Sequence, residues 1–233
     1  MQTDARPSRK DRAAAWLWAA AAVVCWGVMF PVGDLLMKEG SMPPAAVATS
    51  RYLLASPILF AAGFARHGRR MLPRGARDWL ALAALGLVGS AAMALLLFRA
   101  QELVPSVNAS LMEAYVPMQV LILAMLGGAR TTWRHVAGIA LGFAGCLLVL
   151  RALDGSGLRL GALSRGDLFA FLSSACWAVY TAWGRPLARR LGGLPFTAWT
   201  VLFGGLWLLA WQWLGIAVVI LSARLLPRDR AGA

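Results

Sequence analysis

Apolar residues in this chain come in long blocks, not in alternation. Blocks at 14–37, 44–65, 79–98 and 133–150 carry almost no ionisable side chains. They approach or exceed the ~20 residues that take a helix across a bilayer core. The pattern predicts helices near 14–36, 44–65, 78–98, 105–127, 133–151 and 168–187, then an apolar block at 194–226. Between them lie short connections rich in turn formers, "EGSMPP", "HGRRMLPRG", "GGARTT", "DGSG" and "LGGLP". Soluble core helices are rarely so long and so apolar on every face. The expected class is an all-α integral membrane protein with seven or eight transmembrane helices.

The count turns on the last block. Its 33 residues would make one helix of about 50 Å, against roughly 30 Å of hydrocarbon. Between Gly205 and Gly215 there is no Pro, Gly, Asn or Asp to make a turn, which favours one long tilted or kinked helix. Charge favours two short ones, because Arg224, Arg228 and Arg230 would then return to the side of the N-terminus.

Composition agrees with the membrane reading. The chain is 60% hydrophobic and 14% charged, where a soluble domain averages roughly a quarter charged residues. The net charge of +13 does not imply a nucleic-acid partner, since basic residues here flank helices and orient them. Counted over alternate loops, fourteen Lys and Arg fall on the side of the N-terminal tail and five on the other. That places the N-terminus in the cytoplasm and the chain in the plasma (inner) membrane. The first apolar run is longer than the 7–15 residues of a signal peptide's core, so it reads as an uncleaved span. Cys25, Cys146 and Cys176 lie in apolar spans without paired spacing and read as small buried hydrophobes, not metal ligands or disulfides.

Shifted by 151 positions, the stretch around the first Cys-Trp pair overlays a second one without gaps, from Leu17 on Leu168 to Thr49 on Thr200. "CWGVMFPVG" at 25–33 meets "CWAVYTAWG" at 176–184, and Gly33, Leu36, Pro44 and Thr49 meet Gly184, Leu187, Pro195 and Thr200. Five spans separate the two starting points, so the copies enter the membrane from opposite sides, as in the inverted repeats of many secondary transporters. "GIA" at 138–140 recurs at 215–217, 74 residues earlier than a full second copy would place it. The expected organisation is an N-terminal tail at 1–13 and a first five-helix repeat at 14–151. A connecting loop at 152–167, a shortened second repeat at 168–226 and a tail at 227–233 follow. The glycines of "GIALGFAG" (Gly138, Gly142, Gly145), with Gly86 and Gly89, mark close helix packing.

Several stretches resemble the EamA-type permeases of the drug/metabolite transporter superfamily. They are Trp26-Gly27, "SRYLLA" with Arg51 and Tyr52, "FRAQELVPSVNASLMEAYVP" and "RTTWRHVAGIALGFAGCLLVL". The resemblance implies two inverted five-helix halves and the movement of small metabolites or drugs by alternating access, with no cofactor. Two departures stand out. The family's Gly-Glu-Arg phrase before the fifth span reads Gly128, Ala129, Arg130 here, and two helices that wall the cavity in full-length members are missing. The alternative is therefore a transport-inactive, truncated permease. Dimerisation would supply the missing walls.

Arg51 and Glu113 each lie seven residues into their spans, counted from Pro44 and Ser106, or ~10 Å deep. Ionisable groups at such depth face a partner, water or a substrate, and the two are expected to face each other across a cavity. They would bind polar substrate or relay a proton; the bland alternatives are a structural ion pair or an Arg51 that reaches the headgroups. Trp26 and Trp177, with Tyr115 and Tyr180, are the candidate aromatic lining for a flat or cationic molecule, although such rings more often only pack. Pro117 lacks the N–H that would bond the carbonyl four residues back. That would free an oxygen for substrate or simply kink the helix. The two histidines, His67 and His135, lie in or beside loops, and no HExxH or GxSxG occurs. An intramembrane enzyme is a remote third reading.

Overall fold

A computed structural model of the chain describes residues 9–129, 131–154 and 164–225. Arg130, most of the expected connecting loop, residues 1–8 of the N-terminal tail and all of the C-terminal tail lie outside the described residues. The rest is helical: α1 (Arg9–Lys38), α2 (Pro44–His67), α3 (Ala76–Leu103), α4 (residues 106–126), α5 (Trp133–Asp154), α6 (Arg165–Leu191) and α7 (Gly193–Leu225). In five of these, segments are long and apolar enough to cross a membrane: Ala13–Lys38, Pro44–Met71, Ala76–Leu103, Ala109–Leu126 and Gly193–Val218. α6 is also long, at 27 residues, and carries no Asp, Glu, Lys, Arg or His from 168 to 184. Its Ser, Thr, Trp and Tyr side chains make it the most polar of the spans.

The disputed block is one unbroken helix of 33 residues, so the described chain has seven long helices and no eighth. Two things hold α7 through the junction. No residue there favours a turn, and the Gln212 amide donates to Thr49 Oγ1 at 2.5 Å and to the Ala45 carbonyl at 3.4 Å on α2. The connection before it is shorter than expected. α6 runs on to Leu191, and Gly192 alone, at φ 96°, reverses the chain into α7. Only glycine takes that backbone conformation without strain.

Two expected helices are interrupted. α3 contains a π-helical turn at Leu87–Ala92, and α4 is split by a 3₁₀ turn at Glu113–Tyr115. The second follows from Pro117, which has no N–H for the Glu113 carbonyl. Val116 N–H takes that carbonyl instead, one residue short of α-helical register. The carbonyl is therefore not left free for a substrate.

α3 is the central helix. Its Ala91, Ala94 and Phe98 pack with Val47, Ala48 and Tyr52 of α2 and Leu208 of α7. Met93, Leu97 and Ala100 pack with Phe30, Ala109 and Ala170, and Leu82 and Leu85 with Leu187 and Phe196. α1 is peripheral along its first half, where Trp16 and Trp18 are both 77% exposed. Such apolar exposure is what a lipid-facing surface requires. Cys25 belongs to that surface, which corrects the expectation of a buried thiol, whereas Cys176 is half-buried.

The helix directions follow from which residues meet. Arg190 pairs with Asp78, Tyr180 lies on Gly89, Ser173 donates to the Met93 carbonyl at 2.9 Å, and Gly166 abuts Val104. α6 and α3 are therefore antiparallel. Along α7 and α2, Trp199 meets Phe60, Gly205 meets Tyr52 and Leu53, and Gln212 meets Thr49, so this pair is antiparallel too.

Candidate functional site

α1 and α6 meet through one residue from each copy of the Cys-Trp stretch. Trp26 and Trp177 stand with ring centroids 5.3 Å apart and planes tilted by 42°. Tyr180, one turn further along α6, stacks on Trp177 at 5.0 Å and touches Phe196 at 5.3 Å. Each such ring pair contributes about 0.5–1.5 kcal/mol beyond area burial. Tyr180 is oriented from both sides. Its hydroxyl lies 3.0 Å from Thr200 Oγ1, which is itself held by the Phe196 carbonyl. Its ring occupies the space over Gly89, where any Cβ would collide with it.

Arg51 comes to this region from α2. The guanidinium donates to the Met29 sulfur and, at 2.9 Å, to the Tyr52 hydroxyl. It lies 4.7 Å from the Tyr52 ring centroid and 5.9 Å from that of Phe98. Tyr52 and Phe98 are buried and Arg51 half-buried, so the cation turns inward and does not reach for the headgroups. Met29 belongs to the same apolar cluster as Trp26 and Trp177, so it bridges the charged and the aromatic parts of the site.

Glu113 sits on the 3₁₀ turn of α4. Its Oε1 is buried and has no hydrogen-bond partner, as is also true of Gln119 Oε1 on the same span. The expected face-to-face arrangement of Arg51 and Glu113 is not an ion pair. Among the described residues the three ion pairs are Asp34–Lys38, Arg99–Glu102 and Asp78–Arg190. Arg51 is held instead by Met29, Tyr52 and Phe98, and Glu113 is presented from the 3₁₀ turn of α4. Tyr115 likewise stands on the α4 side, its ring edge-on to Phe171 at 6.4 Å.

Sequence reasoning missed Met29, Phe98 and Thr200 as parts of this site. Thr200 carried a signal, since it is the repeat partner of Thr49. Met29 and Phe98 carried none, being ordinary apolar residues in apolar spans.

The apolar helices thus bring together an inward-turned cation, two indoles tilted against each other and, on α4, a half-buried carboxylate. Over residues 13–151 the chain matches the EamA-like transporter family, and it belongs to that family, the EamA-type permeases of the drug/metabolite transporter superfamily. It is 28% identical over 193 residues to an uncharacterized transporter of Archaeoglobus fulgidus, covering 83% of this chain and 65% of that one. It is 30% identical to a probable terminal-alkyne amino-acid exporter of Streptantibioticus cattleyicolor (83% and 62%) and 27% identical to the aromatic amino acid exporter YddG of Ancylobacter novellus (77% and 61%). A crystal structure shares the fold at TM-score 0.60 and 25% identity, covering 80% of this chain and 62% of that one. The chain thus spans just under two thirds of the length of these relatives.

Proposed function

We propose that the protein carries a small metabolite across the membrane by alternating access, with the substrate held between two inverted halves. The halves are residues 14–151 and 168–226, and the N-terminus lies in the cytoplasm. The observation that carries this reading is the contact of Trp26 with Trp177. These residues occupy equivalent positions in the two copies, and their rings lie 5.3 Å apart. Antiparallel packing of α2 on α7, the second helices of the two copies, supports the same arrangement, because inverted copies must run in opposite senses.

In this reading Trp26, Trp177 and Tyr180 form the face against which the apolar part of the substrate lies. Arg51 and Glu113 supply charge from separate walls, and Tyr115 closes the α4 side. The names of the family and of its relatives point to transport, not to enzymatic catalysis. The inactive-fragment reading rests on the shortened second half, and one measurement separates the two. Purified protein in liposomes is loaded with a panel of labelled metabolites and their efflux is followed. Flux of at least one compound above empty liposomes is expected, with KM raised roughly 3–10-fold in Trp26→Ala and Trp177→Ala, the loss of one ring contact. No flux of any compound would favour the inactive fragment.

A further inference from the structure

We propose that Arg51 is the docking point for a carboxylate, so that the transported molecule is an organic acid with a flat apolar body. The inference rests on reading the surroundings of Arg51, Trp26 and Trp177 as the substrate site. A guanidinium has five N–H donors in a planar fork, and here one goes to the Met29 sulfur and one to the Tyr52 hydroxyl. The remaining three have no acceptor among the described residues. Both partners are neutral, and the rings of Tyr52 and Phe98 lie within 6 Å of the cation. Cation–π contact offsets only a small part of the cost of holding an unpaired charge inside a membrane protein. No carboxylate of the described chain makes an ion pair with Arg51, so an acidic ligand is the group that completes it.

The fork fixes the class of anion and the apolar neighbours fix the rest. A guanidinium edge pairs with a carboxylate through two parallel N–H bonds. Met29 continues from the guanidinium into the cluster that holds Trp26 and Trp177. A molecule bound by its carboxylate at Arg51 therefore lays its apolar body along Met29 toward the indoles. A cationic ligand, which the aromatic rings alone would accept, is repelled by Arg51.

The test uses two flat molecules of the same size that differ in charge. Full-length protein in phosphatidylcholine vesicles is titrated with benzoate and with benzamide, and tryptophan fluorescence is read. Benzoate is expected to give a saturable change at a concentration at least about tenfold lower than benzamide. R51Q is expected to lose that preference, and R51K, which keeps the charge without the fork, to keep part of it. If R51Q does not fold, as judged by its melting curve, R51K alone decides: a preference weakened but retained supports the site. Equal response to the two molecules, no response to either, or an undiminished preference in R51Q overturns it. Loss of the benzoate response when phosphatidylglycerol replaces phosphatidylcholine would assign the anion site to a lipid headgroup and overturn the substrate class. A preference for benzoate without flux of any metabolite would sink the transport reading and leave the anion site standing. Flux without the preference would do the reverse.

Discussion

Glu113 shows how a residue four positions downstream decides the state of another. Pro117 withdraws an N–H, the backbone tightens into a 3₁₀ turn, and the Glu113 side chain is presented from that turn with Oε1 unpartnered. A carboxylate so placed is suited to carry a proton or to meet a donor on the substrate. Replacing Glu113 by Gln keeps the shape and removes the charge. Transport by this variant is expected to fall about tenfold, comparable to losing a charged hydrogen bond of ~1.5–3 kcal/mol, and to become flat with pH where the unaltered protein responds to it. Full flux of Glu113→Gln at every pH would end the proton role. At this scale the sequence showed which residues were costly to place in lipid, Arg51 and Glu113, and which were paired by repetition, Trp26 and Trp177. It did not show that the two charges make no ion pair with each other. Two of Arg51's neighbours, Met29 and Phe98, come from other spans and bear no mark that separates them from lipid-facing residues.

Among the elements, α3 and α7 carry the most information about assembly. The π turn in α3 falls where α6 and α7 both press on it: Tyr180 lies over Gly89, Thr200 and Phe203 crowd Gly86, and Ser90 abuts Gly204. Small residues on both sides let the backbones come this close. The sequence pattern had marked Gly86 and Gly89 as packing positions, and that is where close contact occurs. The same reading of Gly138, Gly142 and Gly145 on α5 finds no atom within 4 Å of a Cβ built at any of them among the described residues. Glycine spacing shows that a helix can be approached closely, not that it is. Gly89→Leu is expected to displace Tyr180 and destabilise the protein by about 1–3 kcal/mol, the usual cost of overpacking. A thermal melt in detergent, followed by the rate at which Cys176 becomes reactive to a thiol dye, would register it. An unchanged melt would mean that Tyr180 is not fixed where the structure puts it.

For the whole molecule the helix directions make the strictest demand. Arg190 pairs with Asp78, and Trp199 Nε1 donates to the Met71 carbonyl at 2.7 Å, so the α2–α3 turn and the α6–α7 turn share one end of the bundle. Single cysteines at Arg70 and Arg189 are therefore expected to react with a membrane-impermeant thiol reagent from the same side, and cysteines at Lys38 and Arg165 from the other. Labelling of Arg70 and Arg189 from opposite sides would dismantle the arrangement. The blocks of apolar residues made the helical class legible, but the joint at Gly192 and the unbroken α7 came from local backbone chemistry that charge counting contradicted. The 33 residues of α7 also set a condition on the lipid around them. A helix longer than its bilayer tilts or gathers thicker lipid about itself, at fractions of a kcal/mol per Å of mismatch. Gln212 and Gly205 pin α7 along α2, which limits its tilt. Lengthening the acyl chains of the host vesicles should then raise the melting temperature step by step, and shortening them should lower it.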